Sequence, residues 1–167
     1  MALVQDIEPL APEPWFGALQ RLTERQRASG PQAVESMLRH GFHLVQLTPG
    51  PLKDIVRCET SEASFETLLG KGAFDSAAIA LVSPPLCYEI RGTCVQGQRR
   101  VRACVKLVEM ESRTSDASGD TVAGALVGAW SSFLVELRRR SLADPEPPLD
   151  PAPRTTPSER RRKSIEL

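Results

Sequence analysis

The sequence predicts an α+β fold: a small antiparallel sheet covered by helices, with two βββα repeats as one way of building it, preceded by an N-terminal helical arm. Three observations carry this. Val101, Ala103, Val105 and Leu107 alternate with Arg100, Arg102, Cys104 and Lys106, the period of a half-buried strand. Residues 118–137 form a small-residue apolar run that starts with Gly119-Asp120-Thr121. A shorter relative at Gly70–Leu81 repeats the order of glycine, aspartate and alanine-rich stretch.

Along the chain, Pro14 suits the first turn of a helix, where its missing N–H costs nothing. Trp15, Leu19 and Leu22 then keep helical spacing to about Arg27. Ser29-Gly30-Pro31 breaks the chain, and Val34, Met37 and Leu38 mark a second helix that Gly41 is expected to end. Residues 1–41 therefore read as a helical arm, either covering the core or binding a partner. From Phe42 the period shifts to two, so strands are expected at Phe42–Leu47, Leu52–Cys58 and 64–69, with a helix at about 74–82 stopped by Pro84-Pro85. The second unit places strands at Leu86–Ile90, Val101–Leu107 and 109–115, then a helix from Thr121 to Arg140. The α+β domain spans 42–140, divisible into repeats 42–83 and 84–140. Six of the 27 residues in 141–167 are proline and charge is high, so this tail is expected to be disordered. Its basic cluster Arg160-Arg161-Arg162-Lys163-Ser164 reads as a solvated segment, a nuclear signal, a kinase site or a phosphate contact.

Lys plus Arg and Asp plus Glu are 21 each, which argues against broad electrostatic binding to nucleic acid. Cys58, Cys87, Cys94 and Cys104 match no zinc spacing and are expected to be free thiols. No signal peptide is visible, and no apolar run reaches the roughly 20 residues of a membrane span, so a cytoplasmic protein without membrane contact is expected. His40 and His43 flank Gly41 with no acid or cysteine cluster beside them, so no metal is expected. Neither a nucleophile–base pair nor a phosphate or dinucleotide loop is present. The chain is expected to be no enzyme, with no catalytic residues and no cofactor.

The two helix starts carry the binding chemistry. Free N–H groups and the helix dipole favour an anion there, with Asp75 or Asp120 receiving an ammonium; the alternative is that both aspartates cap their helices. Along the last helix, Val122, Leu126, Ala129, Phe133 and Leu137 form an apolar stripe widened by Trp130 and Leu134. Small residues there suit close packing in a core, or a symmetric dimer face made of Ala125, Gly128, Ala129, Trp130 and Phe133.

Gly70-Lys71-Gly72-Ala73-Phe74-Asp75-Ser76-Ala77 resembles the G-x-G-P-V-D-A motif of the leucine-binding, dimerising regulatory domain of 2-isopropylmalate synthases and their relatives. Leu86-Cys87-Tyr88-Glu89-Ile90, Ala103-Cys104-Val105-Lys106-Leu107 and Gly119-Asp120-Thr121 with Ala125 and Ala129-Trp130 extend the likeness over about 42–138, with Ala73 in place of proline. That resemblance implies a homodimer binding a branched-chain amino acid through Gly72, Ala73, Asp75, Gly119, Asp120 and Thr121. The catalytic barrel of that family has no counterpart here, so a regulatory module that senses an amino acid or binds a protein partner is expected. Residues 73–138 also resemble a double-stranded RNA-binding domain in their helix–three strands–helix order. The RNA-binding versions carry lysines where this chain has Asp120-Thr121-Val122, so that likeness implies a protein-interaction or dimerisation domain with little RNA affinity.

Overall fold

The computed structural model describes residues 8–28, 33–95, 98–108 and 114–143. Among these residues, five helices and one three-stranded antiparallel sheet make an α+β fold. The elements are α1 (Pro12–Ala28), α2 (Val34–Gln46), a single 3-10 turn (Gly50–Leu52), α3 (Glu62–Gly70), α4 (Phe74–Leu81), β1 (Leu86–Val95), β2 (Gln98–Leu107), β3 (Thr114–Gly119) and α5 (Val122–Ala143).

Helix α1 starts with proline and buries Trp15, Leu19 and Leu22 on one face, as the spacing predicts. That face is a cover over the core. The Trp15 indole N–H donates to the Leu44 carbonyl at 2.7 Å. The Thr23 hydroxyl donates to Ser131 Oγ on α5 at 2.9 Å, inside the protein. Arg138 of α5 pairs with Glu13 and stacks over the Phe16 ring, 5.1 Å from its centroid.

The first βββα repeat does not form. Phe42–Leu47, expected as a strand, continues α2 to Gln46, because Met37, Leu38, Gly41, Phe42, Leu44 and Val45 share a helical buried face. Gly41 is no stop signal: a Cβ there would lie 3.1 Å from a Leu81 methyl, so glycine lets α2 approach α4. Leu52–Cys58, also expected as a strand, begins at the last residue of the 3-10 turn, continues as turns and irregular chain, and buries Val56. Residues 64–69 lie in α3, where Ser61 accepts from the Ser64 N–H as the N-cap. Phe65 and Leu69, four apart, face inward, and Phe65 stacks on Phe42 at 4.3 Å. Arg39 on α2 donates from Nε and Nη2 to the two carboxylate oxygens of Glu66 on α3. Those bonds hold the Glu66 carboxyl below its ordinary range.

The second unit follows the alternating pattern more closely. β1 pairs with β2 from Leu86↔Leu107 to Val95↔Gln98, and β2 with β3 from Val101↔Gly119 to Lys106↔Thr114. The third strand falls at Thr114–Gly119, later than the expected 109–115, of which 109–113 lie outside the described residues. Leu86, Val101, Ala103, Val105 and Leu107 face the helices and are buried. α5 lies over β2 and β3, barely reaches β1, and packs its other sides on α1 and α4. The helix extends to Ala143, and the proline- and arginine-rich segment 144–167 is outside the described residues.

Candidate functional site

The two helix starts meet. α3 ends in a Schellman turn: Ala73 N–H returns to Leu68 O and Gly72 N–H to Leu69 O, with Gly72 at φ 69°. That positive φ is why glycine stands there. Ala73 O accepts the first bond of α4, from Ala77 N–H. One residue into α4, Asp75 reaches across to α5, and its Oδ1 accepts from the Ala123 N–H at 3.0 Å. Thr121 Oγ1 accepts from the Gly124 N–H at 3.1 Å. Two of the first three N–H groups of α5 are thus capped by the chain itself. Asp75 caps the helix of the other half, not its own.

Gly119 has a packing reason: a Cβ there would sit 3.2 Å from the Ala125 amide, so glycine lets β3 turn beneath α5. Asp120 is exposed. The six residues expected to bind a ligand therefore divide between two neighbouring recesses. One, of about 320 Å³, is lined by Gly72, Ala73, Asp75 and Thr121 with Phe74 and Val34. The other, of about 210 Å³, takes in Gly119, Asp120 and Thr121 with Gln26, Val34 and Arg100. Val34 and Thr121 form the ridge between them. Sequence reasoning singles out Val34 only as an apolar position of the second helix and Gln26 not at all, since both arrive from the distant arm. Gln26 is 8% exposed and donates to the Ser118 carbonyl at 3.2 Å.

The expected dimer face is interior. Ala125, Ala129 and Trp130 are fully buried, Phe133 is 3% exposed, and Gly128 is buried. A Cβ on Gly128 would come 2.7 Å from Gln26 Cδ and 3.0 Å from Ala117 Cβ, so its absence lets α1 and β3 close on α5. The small residues serve this chain's own core. Trp130 Nε1 is buried without a hydrogen-bond partner among the described residues.

The sheet face turned away from the helices has no other element over it among the described residues. Across the strands it sets Glu89, Cys104 and Asp116 in one row and Arg91, Arg102 and Ser118 in the next. Arg91 donates to Glu89 at 2.8 Å and Arg102 to Asp116, around a shallow recess of about 270 Å³. The Arg102 bond holds the Asp116 carboxyl below its ordinary range, while burial, then the Asp116 carboxylate, pushes the Cys104 thiol up. A raised thiol is a poor nucleophile. All four cysteines are free. No group of three or more metal-ligating side chains occurs among the described residues, and no described helix is long and apolar enough to cross a membrane.

Comparison of the chain with protein-family models, curated proteins and solved structures returns no match.

Proposed function

We propose that this chain is a non-catalytic protein-interaction domain that works through its sheet and has little affinity for RNA. The observation that carries this is the closure of the α5 start by Asp75 and Thr121. A carboxylate or phosphate needs those N–H groups, and two are already taken by the protein's own oxygens. Beside them stand Asp75 and Asp120, whose negative charge disfavours a nucleic-acid backbone. The helix–three strands–helix order over Phe74–Ala143 is the order expected of a double-stranded RNA-binding-domain-like fold. With the α5 apolar stripe used internally, the charged outer sheet face and the β1 edge are surfaces left uncovered among the described residues. A cytoplasmic, membrane-free setting fits this reading.

Two titrations test it. Millimolar leucine, isoleucine, valine or lysine should leave the melting temperature unchanged, because only a ligand of the folded state raises it. Duplex RNA at low salt should keep its mobility. A dose-dependent rise with an amino acid, or retardation of the RNA, would overturn the proposal.

A second reading retains the amino-acid module. It rests on the 320 Å³ recess at Gly72–Asp75 and Thr121, the lower end of the ~300–1,000 Å³ typical of small-molecule sites. In that reading a ligand ammonium approaches Asp75, and the same leucine titration decides between the two.

A further inference from the structure

We propose that the free edge of β1 is a self-association surface, on which β1 of a second copy pairs antiparallel with Ile90 opposite the partner's Ile90. This rests on the interaction reading and names its surface. β1 is ten residues long and lies at the end of the sheet order β1-β2-β3, so its outer edge has no strand beside it among the described residues. It has no proline or lysine to blunt that edge.

The ladder fixes which groups are free. The Val108 N–H donates to Pro85 O, so pairs 85–108, 87–106, 89–104 and 91–102 are the hydrogen-bonded ones. The even-numbered residues Tyr88, Ile90 and Gly92 therefore turn their N–H and C=O groups outward. Pairing centred on Ile90 sets Tyr88 against the partner's Gly92, and Ile90 against its own copy, for about six new backbone bonds.

Side chains select this register. Glu89 and Arg91 are the only charged residues of β1. Centred on Ile90, Glu89 faces the partner's Arg91 and Arg91 the partner's Glu89, two opposite-charge pairs in the close, non-hydrogen-bonded positions. Shifting the centre to Glu89 or to Arg91 also satisfies the backbone, but sets Glu89 against Glu89 or Arg91 against Arg91. The neighbouring registers are thus penalised by the same two residues. On the helix side, Tyr88 is 39% exposed, and Gly92 has open space where a Cβ would stand, so the ring can lie across the glycine. Within one chain Arg91 sits directly opposite Arg102, each guanidinium already paired with a carboxylate of its own chain, Glu89 and Asp116.

The test is the molar mass of the full chain by light scattering across a concentration series. Wild type should form a dimer. Arg91→Glu should weaken it on the order of 10- to 100-fold, since two attractive pairs become repulsive. The lost Arg91–Glu89 pair is exposed and the new carboxylate faces Arg102, so this variant's monomer should melt close to wild type, which separates lost pairing from lost folding. Glu89→Arg alone should weaken the dimer similarly, and the charge swap E89R/R91E should restore it. A wild-type dimer indifferent to both single changes, or a swap that fails to rescue, overturns the β1 register. A wild type that stays monomeric at every concentration overturns the self-pairing. In either case the interaction reading stands or falls separately, on the amino-acid and RNA titrations.

Discussion

Asp75→Ala removes a cap that one helix supplies to another. The Asp75 carboxylate reaches the Ala123 N–H at 3.0 Å, near the positive end of the α5 dipole. Loss of a side-chain cap costs about 0.5–2 kcal/mol. Asp75 is exposed while Ala123 is buried, so about 1 kcal/mol, the middle of that range, is the expected cost. For a chain of this size that is a fall of roughly 2–4 °C in melting temperature. Asp75→Asn keeps an acceptor and gives up only the charge, for about 0.3–1 kcal/mol. Thr121→Ala opens the neighbouring Gly124 N–H and should cost about 1 kcal/mol. Urea unfolding followed by circular dichroism measures all three. If Asp75→Ala left stability within about 0.3 kcal/mol of wild type, the strut between α4 and α5 would have no energetic content. If instead the variant were stable but lost an amino-acid-induced thermal shift, Asp75 would be a ligand contact and the closed-helix reasoning would fail.

Other substitutions test the packing. Gly72→Ala should cost about 1–2 kcal/mol because of its φ of 69°, whereas Gly70→Ala, with open space and no positive φ, should be neutral or stabilising; equal effects would remove the Schellman turn. Gly128→Ala should lose about 1–3 kcal/mol through overpacking against Gln26 and Ala117, offset in part by helix propensity, and a net gain would show that α1 sits farther from α5. Trp130→Ala should cost about 3–5 kcal/mol, while Trp130→Phe removes the partnerless Nε1 along with some buried area and should cost much less; equal losses would contradict the orphan-donor assignment. The Asp116 carboxyl is depressed in the folded state by Arg102, so its contribution is present above the unfolded value of about 4 and is lost as pH falls through the lower folded value. Because the pair is half-exposed, Asp116→Asn should lose only a few tenths of a kcal/mol at pH 7, and the difference should vanish near pH 2; a difference that grows in acid would reverse the sign.

The parts of the fold that sequence makes legible are those with a long, unmixed period. The alternation at Val101–Leu107 and the apolar stripe of the last helix each repeat often enough to select one element. The stretch from Phe42 to Leu69 does not. Its apolar residues fit a strand over a few positions and a helix over a few more, and Gly41 reads as a terminator unless Leu81 is known to press against it. Gly72, Asp75, Gly119 and Thr121 stand out in sequence as a paired motif. Their roles as turn, strut, close approach and cap follow only once α4 and α5 are side by side. Ala125, Gly128 and Ala129 pose the same ambiguity: small residues announce a close neighbour without saying whose. Here the neighbours are α1 and β3 of the same chain. Glu89 and Arg91 are visible in sequence as alternating charge, but their register needs the ladder.

Residue-resolved amide hydrogen exchange, taken at low and high protein concentration, tests most directly the central claim of a closed helix start and an open sheet edge. The expected result is slow exchange at Ala123 and Gly124 at both concentrations, with Tyr88, Ile90 and Gly92 exchanging fast when dilute and slowing when concentrated. Fast exchange at Ala123 that leucine suppresses, with the β1 amides indifferent to concentration, would contradict it.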